Sequence, residues 1–319
     1  MPNYTLGELP WSQSTLRSFL FKKSLAVYKY IKEHPGYQYL SDLEALEFSL
    51  SLYKQSAGEH FKAVNEFENL ARNLNFTHRD NATQFQKVEF NIRKTIFNYS
   101  TAMMSLVNHI RKIDNNQTVK FPSHTIFSTD ARHRFLQDLR NCLAHVKSIK
   151  PDWQISYDKN RKTMAKYLFK TSVLLEYKEW SRLARHFIES NSDEIDIRKT
   201  INEHYIKFMT HQLHVLKAYS SATSKDIDEY KGYERFLKGI GARQLWFILL
   251  QQIAIPSKID PYPKLPLYLT RDEIISITRL NHKSTAQVDK IIQYVDEYNI
   301  CNEELRSLVY IVFNARSDF

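Results

Sequence analysis

The sequence is poor in the residues that break helices and in those that staple small folds. Among 319 residues there are 6 glycines and 9 prolines, so few tight turns can be built and long helices are favoured over many short strands. Two cysteines, Cys142 and Cys301, form no Cys-x-x-Cys pair. Neither a zinc framework nor a disulfide scaffold is suggested, and a reducing cytoplasm fits. The opening MPNYTLGELPWSQS lacks the charged and apolar regions of a secretory signal. No apolar run approaches the roughly 18 residues needed to span a membrane. Also missing are a GxxxxGK[ST] phosphate loop, a GxSxG elbow, an HExxH zinc helix and a carboxylate cluster.

What is present is an ordinary globular composition with an excess of positive charge. Hydrophobic residues make up 43% and charged residues 25%, enough to bury a sizeable core. The formal net charge is +10 and is spread along the chain. Such a balance attracts phosphate polymers without choosing a sequence, and it serves solubility equally well.

Periodicity predicts helices along most of the chain. Apolar residues recur at helical spacing over 12–33, and HPGY (34–37) stops that helix. A long helical stretch follows over 41–74, with Ser41 and Glu44 as a capping-box pair. Over 84–114, Ile92, Ile96, Tyr99, Met103, Leu106, Ile110 and Ile113 alternate by four and three, the mark of a packing seam. After a loop at 115–130, Thr129 or Asp130 can cap a helix over 130–148. The segment 153–169 alternates as a two-stranded hairpin with Lys159-Asn160 at its turn. Helices resume at 171–190 and 194–219, and SSATSKDIDE (220–229) reads as a polar break. The segment PSKIDPYPKLP (256–266) reads as a linker or wrap. Beyond it, Thr270 with Glu273 and Ser284 with Gln287 form capping patterns that open helices near 271–279 and 285–298. The expected architecture is all-α. A helical extension (1–40) precedes a helical domain (41–219), and a C-terminal helical region (220–319) contains the proline-rich segment 256–266.

The chemistry concentrates in DLRNCLAHVKS (138–148), where Arg140, Asn141 and His145 fall on one helix. The bare spacing, an arginine followed after four to six residues by a histidine, is cheap. It also occurs at Arg72 to His78 and at Arg198 to His204. The first runs off a helix into turn residues, and the second reads as the charged face of an ordinary helix. Around Arg140 the context differs: a polar Asn follows the arginine, and Phe135, Leu136, Leu139, Leu143 and Val146 supply an apolar backing. Asn141 and His145 share a face, whereas Arg140 lies about 140° from His145 around the helix. Two copies meeting across a dimer axis would bring all three together. Opposite the seam of the preceding helix lie Lys94, Asn98, Thr101, Ser105 and His109. They form either a solvated face or a polar wall beside the Arg/His helix.

FNYSTAMMSLVNHIRKI (97–113) followed by RHRFLQDLRNCLAHV (132–146) resembles the HEPN superfamily (higher eukaryotes and prokaryotes nucleotide-binding), in particular bacterial defence-type members. The likeness covers residues 45–215 and includes the segment 173–208. It implies a helical bundle that dimerises and cuts RNA without a metal or other cofactor. It places the motif arginine on Arg140, the polar residue on Asn141 and the histidine on His145. Lys94, Asn98, Ser105 and His109 would then support the site or bind RNA. The same likeness implies a toxin–antitoxin or antiphage role and a possible antitoxin partner, while the cysteine usage and the lack of an apolar span imply a cytoplasmic protein that does not engage membranes. Some members of the superfamily only bind nucleotides or partners, so a non-catalytic regulatory protein is the alternative.

The residue types suit the reaction. A histidine with an ordinary pKa of about 6.5 exchanges protons at neutral pH, and a guanidinium holds phosphate with a planar fork. Two lesser readings concern other segments. The helix pair near 271–298 has the layout of a helix-turn-helix, but its second helix is acidic where a reading helix is basic or amidic. His204, His211 and His214 cluster on a basic helix without a third ligand of the right kind for a metal.

Overall fold

The computed structural model describes residues 8–23, 26–71, 79–115, 127, 129–145, 152–157 and 163–316. Helices dominate. They are α1 (Gln13–Lys23), α2 (Ala26–Ile31), α3 (Pro35–Ala71), α4 (Ala82–Asn115), α5 (Ala131–His145), α6 (Thr171–Leu175), α7 (Arg182–Ser190), α8 (Ile197–Ile248), α9 (Arg271–Thr278), α10 (Thr285–Val295) and α11 (Glu303–Phe313). Three short strands, β1 (Asp152–Tyr157), β2 (Thr163–Lys170) and β3 (Glu194–Asp196), complete the described elements with a few turns of other helix types. The all-α expectation holds apart from this small sheet. By its internal contacts the chain divides into two compact units, Tyr39–Ser224 and a second made of Met1–Gln38 with Lys225–Phe319.

The core of the unit Tyr39–Ser224 is built on the seam of α4. All seven seam residues, Ile92 through Ile113, are buried, facing Tyr53, Val64 and Phe67 of α3 and Phe135, Leu136 and Leu139 of α5. Burial on this scale contributes about 1.5–3 kcal/mol per large apolar side chain. β1 and β2 pair antiparallel from Asp152↔Leu168 to Tyr157↔Thr163, as a hairpin requires. The predicted turn residues Lys159-Asn160 lie outside the described residues. The hairpin is not two-stranded: β3 pairs with β2 at Leu168↔Asp196, Phe169↔Ile195 and Lys170↔Glu194. Residues 194–196 therefore do not begin a helix as expected. Ile195 is buried between the less buried Glu194 and Asp196, the alternation of a strand. Asp196 then starts α8 by accepting the Lys199 N–H at 2.9 Å.

Other boundaries move for equally local reasons. The 171–190 stretch is two helices, because Trp180 Nε1 donates to Leu174 O at 2.6 Å and Ser181 caps a new start. The predicted break at 220–229 does not exist, since α8 runs through it. The hydroxyls that suggested a loop are absorbed into the helix: Thr223 donates to Tyr219 O and Ser224 to Ser221 O. Tyr219, Thr223, Ile227 and Tyr230 keep a buried seam at four, four and three. Ser41 caps nothing, because α3 already begins at Pro35, a residue suited to a first helical turn.

In the other unit, α9, α10 and α11 surround Ile277, Val288, Ile291, Val309, Val312 and Phe313. The proline-rich segment wraps onto this core through Leu265, with Leu269 just beyond it, and the Tyr262 hydroxyl donates to Gln287 Oε1 at 2.9 Å. Thr270 and Glu273 form the complete capping box. Ser284 caps α10, but Gln287 does not return the bond. Its amide instead accepts from Lys283 N–H at 2.9 Å and donates to Ile277 O at 3.1 Å. α11 packs on this pair and was not singled out from the sequence. Its Tyr310 and Arg306 hold Asp289 of α10, so the acidic face of the supposed reading helix is partly occupied by packing.

Gly36 shows one place where the chain has no choice of residue. A Cβ there would fall 2.0 Å from Asp226 O and 2.8 Å from Tyr230 Cβ. Both neighbours belong to α8, so the start of α3 touches helix backbone directly. Gly36→Ala is expected to destabilise the protein by about 1–3 kcal/mol, read from urea unfolding, because backbone must move. Gly58→Ala, where an added Cβ meets nothing within 4 Å, is expected to stabilise by about 0.5–1 kcal/mol. Equal effects at the two positions would contradict this account.

Candidate functional site

α5 carries the motif, and its start is firmly set. Asp130 is the capping residue, accepting the His133 N–H at 2.9 Å and pairing with Lys207 of α8. Burial works against its charge, but the Lys207 ammonium and the His133 N–H hold the carboxyl below its ordinary value. Farther along, Asp138 Oδ2 accepts the Ser181 N–H at 2.9 Å, which ties α5 to the entry of α7. Arg132 pairs with Glu203 of α8 and lies over the Phe187 ring. Leu139 and Cys142 are fully buried, and burial pushes the Cys142 thiol up to about 11. The cysteine between the motif residues is therefore core, not chemistry.

Arg140 and Asn141 are half-buried and engage each other. Arg140 donates through Nη2 and Nε to Asn141 Oδ1 at 2.9 and 3.3 Å. Among the described residues Arg140 has no carboxylate partner. His145 is the last residue of α5, and its side chain lies outside the described residues. The helix is unbroken from Arg140 to His145, so the offset of about 140° around its axis stands. Arg72 and His78, the ends of the first competing match, also lie outside the described residues.

The supporting residues on α4 separate. Lys94 and Thr101 are exposed, and Asn98 and Ser105 are half-buried. His109 is turned to α3, where its Nδ1 meets the Ser49 hydroxyl at 2.5 Å. Arg111, whose charge bears on His133 of α5, lies about 160° from His109 around α4. Among the described residues no hydrogen bond or ion pair joins His109 to Arg140 or Asn141.

The strongest polar cluster beside α5 is one that spacing did not reveal. His204 is 1% exposed, so it is not on a charged helix face as expected. Its Nε2 meets His133 Nδ1 at 3.0 Å and its Nδ1 meets the Tyr99 hydroxyl at 2.7 Å. Tyr99 in turn hydrogen-bonds the Tyr53 hydroxyl. Phe127 and Phe208 pack their rings against the histidines. Each group can donate in the same direction, from Tyr53 to Tyr99 to His204 to His133, or in the reverse order, with both imidazoles neutral. Burial lowers the His133 pKa to about 4 and depresses His204 well below its ordinary value, while it raises Tyr53 and Tyr99. The signal was available in sequence: Ile197, Ile201, His204 and Phe208 recur at four, three and four, which puts His204 on the apolar seam.

Among the described residues no group of three His, Cys, Asp or Glu side chains could hold a metal ion, and no helix is long and apolar enough to cross a membrane. No family model matches the chain, and neither a curated protein nor a solved structure resembles it significantly.

The buried imidazoles fix the sign of a pH effect. His133 titrates near 6.5 when unfolded and near 4 when folded, so between those values the unfolded chain binds the extra proton. Stability is fully present above about pH 6.5 and is lost as pH falls toward 4. His60, which burial lowers to about 3, acts in the same direction. Urea midpoints measured from about pH 7.5 down to 5 are expected to fall, and His133→Gln is expected to flatten the slope. A midpoint that rises on acidification would contradict buried neutral histidines.

Proposed function

We propose that the chain is a metal-independent endoribonuclease acting through Arg140, Asn141 and His145, with two copies meeting across a dimer axis. One observation carries this reading. Arg140 is held in place by Asn141, has no carboxylate partner among the described residues, and shares an uninterrupted helix with His145. Half-buried Arg132 and Arg198 give their charge to carboxylates, whereas Arg140 keeps its charge available.

The roles follow from the residue chemistry. Asn141 takes up two of the five guanidinium N–H donors, which fixes the plane of the fork and leaves the others for phosphate oxygens. His145, neutral at the start, accepts the 2′-hydroxyl proton as O2′ attacks phosphorus. The 5′-oxygen leaves and takes a proton from water, giving a 2′,3′-cyclic phosphate and a 5′-hydroxyl. Arg140 balances the negative charge that builds on the phosphoryl oxygens. The angular offset between Arg140 and His145 favours a shared site, in which one copy's arginine serves beside the other's histidine. The resemblance adds a cytoplasmic toxin or antiphage role with a possible antitoxin, and a non-catalytic RNA- or nucleotide-binding protein is the rival.

Total RNA incubated with the purified protein is expected to be cut. His145→Ala and Arg140→Ala should each reduce cleavage by about 10²-fold or more while leaving the circular dichroism spectrum unchanged. Arg140→Lys should not restore it, because an ammonium lacks the fork. Full cleavage by the double variant would remove these residues from the reaction. EDTA is expected to leave the rate unchanged, and strong inhibition would overturn the metal-independent mechanism.

A further inference from the structure

Outside the region that carries the motif, in the unit formed by Met1–Gln38 and Lys225–Phe319, lies an open pocket of about 550 Å³. Three arginines line it: Arg17 of α1, and Arg235 and Arg243 of α8. No carboxylate is among the lining residues, and none of the three arginines has an acidic partner among the described residues. An acid beside the pocket is consumed locally. Asp296 accepts the Ile300 and Cys301 N–H groups at 2.8 and 2.9 Å, which shapes the loop that closes the pocket. Arg235 spends one donor on Glu297 O at 3.3 Å. Phe236 and Tyr298, both half-buried, supply aromatic surface beside the charge.

The helix wall is shaped in a way that packing does not require. Gly232, Gly239 and Arg243 are seven and four residues apart along α8 and fall within about 20–40° of one another on its surface. Glycine inside a helix costs about 1 kcal/mol relative to alanine, so each calls for a reason. At Gly232 an added Cβ would meet nothing within 4 Å, and at Gly239 it would make only ordinary contact with Ile300 and Tyr298, at 3.4 and 3.6 Å. Unlike Gly36, neither is demanded by a neighbouring backbone. Their absent side chains leave the hollow open in front of the guanidiniums. The volume falls in the range of about 300–1,000 Å³ usual for small-molecule sites.

We infer that this pocket binds a nucleoside polyphosphate, with the phosphates on Arg17, Arg235 and Arg243 and the base against Phe236 or Tyr298. Three unpaired guanidiniums match several phosphate charges and a planar ring suits the aromatic wall. The site is separate from Arg140 and does not depend on the nuclease reading.

The test is calorimetric titration of the full-length protein with ATP at low salt, with adenosine as the uncharged control. ATP is expected to bind at one site per chain with a dissociation constant in the micromolar range, and adenosine is expected not to bind. Arg17→Ala and Arg243→Ala should each weaken ATP by about tenfold or more. Both residues are exposed, so folding should be unaffected. Gly232→Leu should leave the melting temperature equal or higher yet abolish binding by filling the hollow, whereas Arg140→Ala should leave binding unchanged. The inference is overturned if ATP shows no saturable binding below about 1 mM, a standard free energy weaker than about −4 kcal/mol. It is equally overturned if the Arg17→Ala/Arg243→Ala double variant or Gly232→Leu binds ATP like the parent.

Discussion

One chain of hydrogen bonds crosses four helices. Tyr53 of α3, Tyr99 of α4, His204 of α8 and His133 of α5 are each buried and joined in sequence. An apolar seam such as that of α4 is tolerant of sliding, because any neighbour of similar volume fills it about as well. A polar chain is not tolerant. Leaving one buried donor or acceptor unmatched costs about 1–3 kcal/mol, so only the register that satisfies every member is stable. The seam supplies most of the energy of the bundle, and the hydrogen-bonded chain selects which arrangement of the four helices receives it.

The placement of the motif follows from that selection. Arg140 is seven residues beyond His133 and so lies within about 20° of it on the same stripe of α5. Fixing His133 against His204 therefore fixes where Arg140 emerges. Asp130 and Asp138 pin the same helix to Lys207 and to the start of α7, and Arg132 adds Glu203. A helix held at several points along its length gives the side chains it carries a rigid base, which the proposed hold on a phosphate would require.

Much of the fold was legible because the dominant signal was periodic. Seven seam residues on α4 announced a buried stripe, and β1 and β2 announced themselves by alternation. The failures have a common cause, which is that residue type was read without its phase. Ser220 to Ser224 suggested a break by composition, while Tyr219, Thr223 and Ile227 carried the helix through on one face. His204 looked like surface by its charged neighbours, while its spacing from Ile197 and Phe208 put it in the core. His109 was grouped with Asn98 and Ser105 because all three share a polar face, and the coordinates add Ser49 of α3 as its partner. β3 was illegible for a different reason: three residues carry too little pattern to separate a strand from a helix start. Of the candidate site, sequence located the helix and its apolar backing, but the pairing of Arg140 with Asn141 needed coordinates.

The distribution of charge carries the argument one step further. Several of the chain's cations are committed to structure: Arg93 to Glu89, Arg132 to Glu203, Arg198 to Glu68 and Lys207 to Asp130. Those pairs neutralise themselves and leave nothing for a ligand. The net charge of +10 must therefore reside on groups without acidic partners, and solubility alone gives no reason for such groups to gather. Yet Arg17, Arg235 and Arg243 gather around one hollow, and Arg140 stands beside Asn141 on a pinned helix. Like charges drawn together without counter-charges raise the energy of the empty protein, and a bound anion removes that cost. The excess charge is otherwise spread along the chain, and at these two places it takes the form that the proposed phosphate contacts would need.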